Sequence, residues 1–187
     1  GRNRAPKLYL RRVRRKGDFG VRRNRERGAY GVIFSARDMD VLRLLCWCQN
    51  IRPQDLNSIS TKAERENLMI LGFIKLHERS GTLTLTNSGR AFLDVIFKGA
   101  VPALSLSYHE DAIVRRVRLS QLVLSAYHAG VDVFMTAVRS EHENPSLFLT
   151  SITRSRGRNP WGSSRVGAII HLGGVYYAAH FVCPGIG

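Results

Sequence analysis

Apolar periodicity changes twice within residues 68–90, and this switch narrows the folds open to the chain. Leu68 and Leu71 close a helix-spaced run, which Gly72 stops. Residues 73–76 (Phe-Ile-Lys-Leu) have strand composition. Residues 77–81 (His-Glu-Arg-Ser-Gly) make a polar turn, and residues 82–86 alternate threonine with leucine. Asn87, Ser88 and Gly89 then open another helix. A helical period giving way to a period of two, and then returning, predicts helix, two-stranded ribbon, helix. The fold class expected from this pattern is α+β.

The residues before the switch extend it. Ser35 suits a helix N-cap, and Asp38 in the first turn suits the positive end of the helix dipole. Val41, Leu44, Leu45 and Cys48 then recur at i, i+3, i+4 and i+7, one buried face, with Arg43 and Gln49 off it. Asn50 ends this helix. Pro53 starts a short second helix, with residues 54–59 as its body. Ser60 and Thr61 break it and cap a third over 62–71, where Glu64 stands three residues after Thr61 as in a capping box. A closing helix is predicted over 88–97.

Over residues 35–97 the chain resembles the winged-helix superfamily, in particular bacterial regulators. Leu68, Leu71, Gly72, Phe73 and Ile74 match the turn of that family, and Leu85, Thr86, Gly89 and Arg90 match its second wing strand and exit. The resemblance implies duplex DNA as partner, with the third helix in the major groove and its N-terminal residues at the base edges. The implied contacts there are Thr61, Lys62 and Arg65, with His77 and Arg79 at the ribbon tip over the backbone or the minor groove. Glu64 and Glu66 on the same helix oppose phosphate.

Charge supports a polyanionic partner, though from another part of the chain. The 29 Lys+Arg against 14 Asp+Glu give +15, and residues 1–34 hold 12 of the basic and 2 of the acidic residues. Residues 35–100 come to +2 and residues 101–187 to +3. The excess is an arm rich in arginine, whose planar guanidinium suits bidentate phosphate contact: Arg11, Arg12, Arg14, Arg15, Arg22 and Arg23 lead it. Residues 1–28 lack the apolar content to pack a core and are expected to be flexible without a partner. No apolar run reaches the ~18 residues that span a bilayer, and no secretory signal pattern opens the chain. Three cysteines make no disulfide framework. A cytoplasmic protein with no membrane partner is expected.

After Lys98 the character changes. Residues 99–102 read as a linker and 110–129 as a long helix with Arg115, Arg116 and Arg118 near its start. Strands are predicted over 131–138 and 147–152. A basic loop holds Arg154, Arg156, Arg158 and Trp161, and β-rich runs over 165–172 and 175–182 join through Gly173-Gly174, a hairpin signal. The ending on Cys183-Pro-Gly-Ile-Gly187 suggests a truncated module. In element order, and in the helix start at His109, the whole chain is similar to plasmid replication-relaxation and other mobile-element accessory proteins. That group implies a region shaped like restriction-type nucleases.

Residue chemistry argues against an enzyme. Mg²⁺-dependent cleavage needs carboxylates and usually a lysine beside them, and Lys98 is the last lysine. Asp132, Glu141 and Glu143 are candidate relics of such a site, although a solvated turn accounts for 141–145. Cys46 and Cys48 read as structural. His171, His180 and Cys183 have partial zinc spacing without a C-x-x-C pair. Tyr176 and Tyr177 read as packing or partner contacts. No catalytic residue, metal ligand or cofactor is assigned. The expectation is a basic arm (1–34), a winged-helix domain (35–100) and an α+β module with a C-terminal hairpin (101–187) for a protein partner or self-association. Its role would be as a regulator or as a replication or transfer accessory factor of a mobile element. The alternatives are a nicking enzyme with a degraded or incomplete site, and an RNA-binding factor using the arm.

Overall fold

The computed structural model describes residues 34–98, 101–102, 109–136, 144–154 and 166–180. The arm arginines, the basic loop, Glu141, Glu143 and Cys183 lie outside the described residues. The fold is mixed α+β, with two small antiparallel sheets among helices.

The first region runs α1 (Ala36–Cys48), a 3₁₀ turn (Pro53–Leu56), α2 (Lys62–Ile70), β1 (Ile74–His77), β2 (Thr82–Leu85) and α3 (Asn87–Ile96). The expected caps are all formed. Ser35 and Asp38 make a reciprocal box at α1, and Thr61 and Glu64 make one at α2. Thr86 accepts from the Gly89 N–H at the start of α3, one residue before the opening expected from Asn87. The helix expected over 54–59 is only the 3₁₀ turn, since four residues after Pro53 close on i+3 bonds and the chain must rise into Ser60. β1 and β2 pair Ile74 with Leu85 and Leu76 with Leu83 on one face, and Lys75 with Thr84 and His77 with Thr82 on the other. Ile51 bridges Leu83 through two backbone hydrogen bonds, so one residue covers the outer edge of β2. Gly89 is obligatory for close packing, because a Cβ there would collide with the carbonyl oxygen of Phe73.

The second region holds α4 (Glu110–His128), β3 (Ser146–Leu149), the short α5 (Ser151–Arg154), β4 (Val166–Leu172) and β5 (Val175–His180). Two expected strands are cut short. Of the run at 131–138, the described residues 131–136 contribute only a bridge from Asp132 to Ser146, where the Asp132 carboxylate accepts from the Phe134 N–H and bends the backbone. The run at 147–152 turns helical at Ser151. β3, β4 and β5 form one sheet in that order, and Gly173 and Gly174 take positive φ at its hairpin turn.

The sequence suggests separate units meeting near residue 100. In the structure the buried apolar side chains of both regions form one cluster, from Val41, Leu44 and Leu83 to Val123, Leu147 and Phe148. Specific contacts cross it. The Trp47 indole donates to the Met135 carbonyl, and the Tyr127 hydroxyl donates to Asp40 at 2.7 Å. The Arg43 guanidinium, placed off the buried face by the sequence pattern, lies 3.8 Å from the Phe134 ring centre and 4.6 Å from that of Phe97. Burial lowers its pKa, against the charges of Asp40 and Asp132 that raise it. An arginine held against aromatic faces near carboxylates is therefore part of the joint between the regions.

Candidate nucleic-acid interface

The start of α2 is closed on itself. Thr61 Oγ1 accepts from the Glu64 N–H, and Glu64 Oε2 accepts from the Thr61 N–H at 2.7 Å. These bonds to Thr61, backbone first, hold the Glu64 carboxyl below the usual range. A carboxylate thus occupies the helix end that would otherwise attract phosphate. Lys62 is exposed and has Glu66 at 3.7 Å. Further along, Ile70 is exposed.

Arg65 departs from the expectation of an outward DNA contact. It is 5% exposed. One guanidinium nitrogen donates to the Ser60 carbonyl and to Ser60 Oγ, and the other donates to Asn57 Oδ1 at 2.8 Å. The side chain is drawn back because the turn after the 3₁₀ segment leaves Ser60 and Asn57 oxygens in need of donors. Arg65 clamps α2 to that turn, so Thr61, Lys62 and Arg65 do not form a basic reading surface.

Arginines and carboxylates meet on the other side of the ribbon. Period-two alternation sends Ile74, Leu76, Leu83 and Leu85 to one face and Lys75, His77, Thr82 and Thr84 to the other. α4 lies beside this second face, leaving a groove of about 380 Å³ whose lining includes Arg52, Arg79, Thr82, Val114, Arg118 and Gln121. Arg52 pairs with Asp55 at 2.8 Å, and Arg79 pairs with Glu110 at 2.6 Å. Arg115 is exposed, one helical turn before Arg118 and on the same side of α4. The sequence pattern marked these α4 arginines as a cluster, but only the docking of α4 on the ribbon brings Arg118 beside Arg79.

The ribbon tip is braced by a run of hydrogen bonds. His77 Nδ1 lies 2.7 Å from Ser80 Oγ, which lies 2.8 Å from Thr82 Oγ1. Thr82 accepts from the Asn50 amide, whose Oδ1 accepts from Arg116. His77 is thus half-buried as a turn brace, whereas Arg79 projects beyond it. Phe34 packs between Phe73 and Phe92, with ring centres 5.3 and 4.8 Å away, so the arm joins the fold at an anchored residue.

The other groups considered from sequence are dispersed. Cys46 and Cys48 are buried thiols, and burial pushes Cys46 up to about 11. His171 and His180 sit near opposite ends of the β4–β5 ladder, paired with Tyr176 and Val166 respectively. Among the described residues no helix is long and apolar enough to cross a membrane. No protein-family model matches the chain, and no curated protein or solved structure matches it.

Proposed function

We propose that the chain binds duplex DNA, with residues 35–97 as a winged helix and the arm of residues 1–34 as the main electrostatic grip. The observation that carries the proposal is the concentration of 12 basic against 2 acidic residues in that arm. Its attachment at Phe34, Arg79 and Arg118 beside one groove, and Arg115 exposed on the same helix as Arg118 support the same reading. Within it, the ribbon tip and α4 lie along the phosphates, and α2 contributes Lys62 but not Arg65. The chemistry is binding, not catalysis. A regulator or a replication or transfer accessory factor of a mobile element fits this use.

Titration of labelled duplex by fluorescence anisotropy tests the proposal. Six to ten phosphate contacts should weaken binding by about 10³-fold or more between roughly 50 and 200 mM salt. Removal of residues 1–28 should remove most of that slope, and Arg118→Ala and Arg79→Ala should each reduce it by about one contact. An affinity indifferent to salt overturns the proposal. Tighter binding to structured RNA in competition would transfer the grip to the RNA reading.

A further inference from the structure

Among the described residues, sheet β3–β4–β5 is finished at one edge and open at the other. On the β3 side, residues 131–135 lie alongside, with Leu147 donating to the Asp132 carbonyl and Asp132 to the Pro145 carbonyl. On the opposite side β5 is the terminal strand. Val175, Tyr176 and Tyr177 are about half exposed, and no residue of β5 carries a formal charge, in a chain of net charge +15. Edges of soluble proteins are usually blunted by charge, proline or a bulge that twists them away. Along the outer side of β5, residues 175–179 contain no such device.

The hairpin turn fixes which backbone groups point outward. Gly173 (φ 55°) and Gly174 (φ 79°) form a two-residue connection of the type that closes on a hydrogen-bonded pair, here Leu172 and Val175. Alternation then directs the amides of Tyr177 and Ala179 toward β4 and that of Ala178 away from it. A two-fold axis perpendicular to the sheet, passing at Ala178, would set Ala178 opposite its own copy as a hydrogen-bonded pair. The same register sets Tyr177 opposite Ala179 and Tyr176 opposite His180. Each large side chain would face a different residue, and the tyrosine beside the axis would lie over an alanine, so the pairing relieves crowding on both faces.

We propose that β5 pairs antiparallel with β5 of a second copy of this chain, across a two-fold axis at Ala178, making a continuous six-stranded sheet. An uncharged strand gives a polyanion nothing to hold, and its self-complementary register selects a second copy. One five-residue ladder buries less than the ~1,200 Å² of a standard stable interface, so the dimer is concentration-dependent. The proposal is independent of the DNA reading.

Sedimentation velocity of the full chain over a wide concentration range, without DNA, should show a shift from one chain mass to twice that mass. Hydrogen exchange should slow at the Ala178 amide, but not at exposed turn amides, over the same range. Ala178→Pro removes the outward N–H without touching the β4 ladder and should leave a monomer with unchanged circular dichroism. Tyr177→Lys should weaken the dimer at least tenfold by placing two cations near the axis, and covers the case in which the proline variant fails to fold. A chain that stays monomeric throughout overturns the proposal. So does a dimer that survives Tyr177→Lys, or one in which the Ala178 amide exchanges as fast as in the monomer.

Discussion

Hairpin β1–β2 and hairpin β4–β5 both turn through glycines of positive φ and both pair antiparallel, yet they end in opposite conditions. All four residues of β2 are buried: its leucines against α1 and α2, its threonines beside α4, and its edge against Ile51. In β5 five of six residues are exposed. The difference teaches where each hairpin can act. In the first, β2 is a strut and the exposed side chains lie on β1 and at the tip, at Lys75, Leu76 and Arg79. The second presents a whole strand. Burial on both faces turns a ribbon into scaffold, and lack of burial leaves backbone and side chains open to a partner.

The largest expected effect tests that contrast directly. Leu83→Ala should destabilise the protein by about 2–5 kcal/mol, because Leu83 is nearly inaccessible and its removal leaves a cavity between Ile51 and Leu76. Tyr177→Ala, measured at a dilution where the chain is monomeric, should cost no more than about 0.5 kcal/mol. Urea unfolding of the two variants gives both numbers. Comparable losses would mean that β5 is as much a part of the core as β2, and the contrast would fail.

What was legible in the sequence follows the reach of each interaction. Caps at Ser35 and Thr61, the Gly72 stop and the two ribbon strands depend on residues within a few positions of one another, and each formed within a residue of where expected. The glycine turn between β4 and β5 was legible for the same reason. Arg65 was not, because its direction depends on unpaired oxygens at Asn57 and Ser60 that exist only once the preceding turn is built. In the described part of the strand expected over 131–138, residues 131–136, one local side-chain bond to Asp132 bends the backbone away from strand geometry. The groove between ribbon and α4 was out of reach altogether. It depends on α4 docking through contacts such as Arg116 to Asn50, 66 positions apart, and no periodicity records such a distance.

The second prediction sharpens the assignment of scaffold and contact within the first hairpin's own region. Arg65→Ala leaves Asn57 Oδ1 and the Ser60 carbonyl without their donor and should cost about 1–3 kcal/mol. Duplex binding by the folded variant should be unchanged when measured below its unfolding transition. Arg118→Ala, in contrast, should give a shallower salt slope. If Arg65→Ala lowered the salt slope of the folded protein, α2 would regain the role that its buried guanidinium denies it.

The smallest effect concerns the seam between the two hairpin-bearing regions. The Tyr127 hydroxyl donates to Asp40 across it, and its pKa is pushed up to about 12 from the ordinary 10.0, first by burial and then by that bond and the charge of Asp40. A raised folded-state pKa means that the unfolded chain loses this proton first. The stabilisation is then complete below pH 10 and is lost as pH rises from 10 toward 12. Cys46, raised to about 11 by burial, contributes with the same sign. Wild type should therefore lose stability across this interval more steeply than Tyr127→Phe, which has no phenolic proton to lose and also lacks the bond at every pH. The two stability curves should converge toward pH 12, with wild type higher at neutral pH. Parallel curves would show that Asp40 and Tyr127 do not hold the seam. The polar links across the seam would then be those from the Trp47 indole to the Met135 carbonyl and from Arg116 to Asn50, beside the shared apolar core.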